Sequence, residues 1–279
     1  MTMSVNTNLS AINAYNNLNA TSNQMNSTVA ELSSGLQIQT AAQDASGYVI
    51  SQGLNVESLG LGQAIQNGQN GVSVLQIAEG AMNQQVSILQ RMNQLATQAA
   101  NSGAMSSSSY TAVQAEFSQL QSQLDQIASS TSFGTTSLLN GTYTGTFQIG
   151  AYSSTVDQVT VTIAGTSTGA MGVASSSVSI GSTAASAQAA MSAVQAAITY
   201  VSSAEAQVAA VQNQIQAVIS NDTISQQNVQ SAYSTLVDAN MAQAMTAYSS
   251  QQVLMQAGVA MLGQAQQLPS LILKLIPCR

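Results

Sequence analysis

The sequence predicts a mainly α protein: an elongated antiparallel helical bundle or coiled coil with its termini together and a small β-hairpin-rich excursion. Three observations predict it. Apolar residues recur seven apart near both ends, stripes with alternating spacings of three and four fill much of the interval between, and one Thr/Ser/Gly-rich stretch alternates with period two.

Leu18, Met25 and Leu32 lie seven apart between Asn6 and Leu36, with Val29 and Leu36 as a second such pair. That spacing keeps one face apolar over successive turns and reads as a seam that needs a partner. Glycines at 35, 47, 53, 60, 62, 68 and 71 follow, and each interior glycine costs a helix about 1 kcal/mol relative to Ala. The expectation there is a bent, loosely wound segment entering another helix.

From Val72 to Ala99 the helical period is clear, with Val86, Leu89, Met92, Leu95 or Ala96, and Ala99 on one face. The polar run Asn101–Ser109 ends it. Val113, Phe117, Leu120, Leu124 and Ile127 then form a further stripe, which the short polar loop lets fold back antiparallel. Between 139 and 181 the character changes: Asn140-Gly141 is a turn signal, Thr146–Ile149 a short strand, and Val159, Val161 and Ile163 alternate with polar residues. Helix returns from Thr183 with Val194, Ile198, Val201, Val208, Val211, Ile215 and Val218. Leu254, Met261, Leu268 and Leu275 repeat the seven-residue spacing of the first segment, so the two end segments are expected to pair.

Composition excludes several classes of function. The 279 residues carry 3 Lys+Arg and 10 Asp+Glu, so charged residues are 5% of the chain against about 25% in an ordinary soluble domain. Without histidine and with one cysteine, the common ligand sets for zinc, copper, haem and iron–sulfur clusters cannot be assembled, and no His-based catalytic triad exists. No cofactor, no metal and no enzymatic activity are therefore expected. Nucleic acid is an unsuitable partner, because the net charge is −7 and no basic residue lies between Met92 and Leu273. No apolar run reaches the roughly 18 residues that span a bilayer, so membrane insertion is not expected. The amino end lacks the basic and apolar regions of a secretory signal peptide, although the Ser, Thr, Asn and Gln content suits the cell exterior.

Ordered motifs at both ends resemble bacterial flagellin. They are Val5–Asn8, Asn16-Asn17-Leu18, Leu32–Leu36, Asp44–Gly47, Asn70–Ser73, Ala78–Met82, Leu89–Arg91 and Gln98–Asn101, then Leu254–Gly258 and Leu262–Pro269. The resemblance covers about residues 1–145 and 195–276, and a series of this length in order is specific where any single motif is weak. It implies a subunit exported through the flagellar type III apparatus without a cleaved signal peptide, which polymerises outside the cell into a hollow helical filament for swimming. An export chaperone, a filament cap protein and further copies of the chain are the partners it implies; recognition by a vertebrate innate immune receptor is a further implication. Residues 1–42 and 237–279 would form the two halves of an inner coiled-coil domain, and 43–236 a rod-like domain holding the β excursion. The related hook–filament junction protein shares end motifs of this kind, and a surface adhesin would share the composition but not the motifs.

On that resemblance the self-assembly interface is expected at Leu18, Met25, Leu32, Leu36, Leu254, Met261, Leu268 and Leu275, joined by Arg91 and Glu116 at charged positions of the rod-like domain. Without it, intramolecular core is the better reading of the seams, and solvated charge the better reading of the pair. Departures from the family pattern are systematic. Amide, hydroxyl or apolar residues stand at Gln37, Gln43, Gln214, Tyr233, Thr235, Val237, Asn240 and Ala244 where the family usually has charge. Hydrogen bonds of amides and hydroxyls do not titrate, so adaptation to acidic surroundings is the hypothesis this depletion suggests. Cys278 reads as a tolerated small apolar residue.

Overall fold

The computed structural model describes the backbone of residues 7–275 and the side chains of residues 7–267. Five long helices dominate: α1 (Leu9–Ser34), α2 (Ala45–Ala100), α3 (Ser107–Ser130), α4 (Ala184–Val237) and α5 (Met241–Leu275). Between α3 and α4 lie two antiparallel strand pairs. The first joins β1 (Ser132–Phe133) to β2 (Thr136–Ser137), and the second joins β3 (Thr144–Gln148) to β4 (Gln158–Thr162) with Phe147 opposite Val159.

Helix starts are set by short polar side chains that satisfy otherwise unpaired amides. Asn8 Oδ1 accepts from Ala11 N–H at 3.1 Å, Asp44 Oδ1 from Ser46 and Gly47 at 3.0 Å, and Ser106 Oγ from Ser109 at 3.3 Å. Thr183 and Asn240 do the same for α4 and α5. Gly35 ends α1 in the left-handed region at φ 74°, its N–H bonded to Glu31 O at 2.8 Å.

The expected loose segment after Gly47 is instead one unbroken helix, α2, running through Gly53, Gly60, Gly62, Gly68 and Gly71. The reason is packing. A Cβ on Gly68 would lie 2.8 Å from Ile219, one on Gly60 3.0 Å from Ala151, and one on Gly71 3.2 Å from Phe147. These glycines are where neighbours come close to α2, not where it bends.

The chain divides into two compact units. Unit 2, Glu57–Asn228, holds the main core: Leu75, Met82, Leu89 and Met92 of α2, Phe117 and Leu124 of α3, Val194, Val201 and Ile215 of α4, and Val159, Val161 and Ile163 of the second hairpin region. The helical stripes read from the sequence supply this core, and α3 does fold back on α2, with Tyr110 Oη donating to Ala99 O at 3.0 Å. Two buried amides tie the return segment to the helices. Gln85 Nε2 donates to Thr166 O at 3.0 Å, and Gln121 Nε2 to Val173 O and Val178 O at 2.8 and 3.0 Å. Asp125 accepts from the Thr168 N–H at 2.8 Å and from its hydroxyl. Such bonds offset the cost of burying backbone carbonyls away from water.

Unit 1 comprises residues up to Val56 and from Val229. Within it α1 and α5 run antiparallel, with Asn8 Nδ2 bonded to Ala265 O at 2.6 Å. At the other end of the pair Leu36 and Asp238 form a short bridge, flanked by Gln37 N–H to Val237 O at 2.7 Å and Ala239 N–H to Gly35 O at 2.8 Å. The predicted pairing of the end segments is therefore present.

Candidate self-assembly surfaces

Pairing of α1 with α5 uses a line on α5 other than the expected one. The half-buried or buried positions of α1 include Ala11, Ala14, Leu18, Thr21, Met25, Thr28 and Leu32, whose alternating spacing of three and four is that of a two-helix seam. Leu18, Met25 and Leu32 therefore meet a partner within the same chain, and Leu36 is half-buried beside the bridge to Asp238. On α5 the matching positions are Ala244, Gln251, Gly258 and Ala265, seven apart and small or polar, alternating with half-buried Tyr248, Met255 and Leu262. Leu18 fits against Gly258, where a Cβ would lie 3.1 Å from Leu18 Cδ1.

Leu254 and Met261 consequently point away from α1 and are 56% and 65% exposed. Leu268 and Leu275 continue the same line beyond the residues whose side chains are described. Seven-residue spacing alone does not say which line of α5 meets the partner; here it is the lines through Gly258 and Met255, not the one through Leu254 and Met261. Other exposed apolar residues of unit 1 stand outside the seven-residue spacing: Ile12 and Tyr15 on α1, Val49 and Ile50 on α2, Val253 and Val259 on α5.

The imbalance of unit 1 is large. Among its described apolar residues only Val237, Ala244 and Ala265 are buried. A groove of about 560 Å³ along the α1/α5 pair is lined by Ser27, Thr28, Glu31, Asn240, Gln243 and Gln251 among others, so part of the seam is polar and open. Exposed apolar side chains gathered on one unit make it a candidate surface for contact with other protein.

Arg91 and Glu116 are brought together in unit 2, across α2 and α3. Arg91 Nη2 and Nε both donate to Glu116 Oε1, at 2.7 and 2.9 Å, with both side chains about half exposed. An exposed pair of this kind contributes at most about 1 kcal/mol. Among the described residues no group of three or more His, Cys, Asp or Glu is placed to hold a metal, and no helix is long and apolar enough to cross a membrane.

The structure is that of a mainly helical chain whose two ends pair, with many apolar residues of the paired unit left exposed. The family comparison agrees in class. Residues 5–144 match the bacterial flagellin N-terminal helical region and residues 191–276 the bacterial flagellin C-terminal helical region. The chain belongs to the bacterial flagellin family.

Among curated relatives, polar flagellin A of Vibrio parahaemolyticus is 44% identical over 173 residues, covering 62% of this chain and 46% of that protein. Flagellin D of Vibrio anguillarum is 48% identical over 152 residues, covering 54% and 40%. The chain thus spans less than half the length of these relatives. Of solved structures, Bacillus cereus flagellin matches at 24% identity and a TM-score of 0.49 over 56% of this chain and 88% of that one. FliC from Burkholderia pseudomallei matches at 36% identity and a TM-score of 0.34 over 37% and 39%.

Proposed function

We propose that this chain is a structural subunit, not an enzyme, that polymerises with copies of itself into an extracellular flagellar filament used for swimming. The observation that carries the reading is the exposed apolar line of α5, with Leu254 and Met261 turned away from the intrachain partner. Residues 1–42 and 237–279 are the segments assigned to the inner coiled-coil domain, and 43–236 to the rod-like domain. The export apparatus, an export chaperone and a cap protein are the partners proposed on the strength of family membership. A junction protein would share the end motifs, and electron microscopy separates the two: purified chain added to seeds grows long hollow filaments only if it is the filament subunit.

The interface is tested by Leu254→Asp combined with Met261→Asp. Each places a carboxylate into a contact repeated in every subunit, at a cost of several kcal/mol per ion. Both side chains are exposed in the single chain, so its circular dichroism is expected to be unchanged while seeded growth stops. Normal polymerisation of the double variant would remove this line from the interface.

Acid tolerance of the filament is a second element of the reading, supported by how few charges there are to lose. Among the described residues Arg91–Glu116 is the one ion pair. A lattice held by carboxylate–cation pairs loses them as pH falls through about 4, whereas amide and hydroxyl bonds persist. Light scattering across pH 2 to 7 is expected to hold for this filament at acidities that dissolve a charge-rich one. An equal acidic midpoint for the two would refute it.

A further inference from the structure

Unit 2 encloses one carboxylate on α4, Asp222, which is only 8% exposed. It lies between Ile219, which packs on Gly68 of α2, and Gln226, whose Nε2 donates to Ser58 O at 3.1 Å. Residues 219, 222 and 226 share a helix face, so Asp222 is aimed at the same length of α2. Its Oδ2 is buried and has no hydrogen-bond partner.

A third element closes on this site. The loop end of the β3–β4 hairpin reaches α2 through Asn67 Nδ2 to Gln148 O at 3.1 Å and through Ala151 against Gly60. From the hairpin comes Asp157, whose carboxylate acts on Asp222, while the exposed Tyr152 of the same segment lies beside Glu57 of α2. No other charged residue stands on α4 from Ala206 to Leu236. Cations are missing from the neighbourhood among the described residues, since Arg91 is held by Glu116. A carboxylate that has lost water, leaves one oxygen without a donor and faces further negative charge is costly in its ionised form. Burial, with the Asp157 carboxylate second, pushes its pKa above the ordinary carboxylate value.

We propose that unit 2 accommodates Asp222 as the neutral acid, so that this side chain makes the folded unit more stable as the medium is acidified. The sign follows from linkage. With the folded value raised, ionisation costs stability at any pH above it. The cost shrinks as pH falls through the folded value and is gone below the unfolded value of about 3.9. This belongs to the fold of one unit and is independent of whether the filament persists in acid.

The test is thermal unfolding of the full chain, unpolymerised and in EDTA, from pH 7 to pH 4. The native chain is compared with Asp222→Asn, whose amide resembles the protonated carboxyl in shape and charge. The variant is expected to melt about 2–4 °C higher at pH 7, with the gap closing toward pH 4. A variant that melts at or below the native chain at pH 7, or a gap constant with pH, overturns the proposal. Should Asp222→Asn fail to fold, Asp157→Asn answers the question with Asp222 in place. It should raise the melting point at pH 7 and move the acid-side gain to lower pH, and an unchanged profile would count against a neutral Asp222.

Discussion

Gly165 and Gly141 bring two backbone segments close together in the β excursion. A Cβ on Gly165 would lie 2.8 Å from Gly141 Cα and 3.0 Å from its nitrogen, and Gly141 itself has φ 87°. Backbone cannot swing aside as a long side chain can, so Gly165→Ala is expected to destabilise unit 2 by about 1–3 kcal/mol, read in chemical denaturation. The Asn140-Gly141 turn was legible because its signal is local. Its partner was not, since nothing in the sequence says which later glycine returns to it. Asp222 was silent for a related reason: a lone acid in a helical run reads as solvated face until the packing is known. Asp44 has the opposite sign. The Gly47 N–H and then the Ser46 hydroxyl hold its carboxyl below the ordinary value, so its contribution to the start of α2 is present above about pH 4 and fades as pH falls through the lowered value.

At the scale of elements, the helical stripes of α2, α3 and α4 were readable because burial follows a 3.6-residue period there. Two expectations failed for physical reasons. Glycine is a poor helix former in isolation, but along α2 it is the residue that lets Ile219, Ala151 and Phe147 approach, and tertiary contact outweighs propensity. The two kinds of glycine on α2 can be told apart by experiment. A methyl group on Gly80 would meet nothing within 4 Å, so Gly80→Ala is expected to stabilise by up to about 1 kcal/mol, whereas Gly68→Ala must displace Ile219 and is expected to destabilise. A higher melting point for Gly68→Ala would contradict this account of α2. The other failure was the α5 seam, where the line through Leu254 and Met261 is exposed and the line of Ala244, Gln251, Gly258 and Ala265, with Tyr248, Met255 and Leu262 between, is the covered one.

At the scale of the whole molecule, apolar burial is divided unequally. Unit 2 has a core with fully buried Phe117, Leu75, Met82 and Leu124, while unit 1 buries little of what it carries. Removal of residues 237–279 takes away α5 and with it the partner of α1, but leaves the core residues of unit 2 in place. The truncated chain is therefore expected to stay soluble, to retain a cooperative thermal transition and to fail to extend seeds. Filaments of normal length from it would contradict the role assigned to α5. The proposed self-assembly was suggested at this scale by the ordered end motifs, whereas which face of each helix remains uncovered follows only from the folded chain.

The bond between Asn8 and Ala265 joins positions 257 apart. Closing so long a loop costs more chain entropy than any contact inside the contiguous Glu57–Asn228 unit, and such contacts form late when a chain folds. Unit 1 is thus a two-ended clasp with a built-in clock. Whichever of α1 and α5 emerges first, it waits for the other, and the sticky surface of the finished pair cannot exist before both helices have arrived.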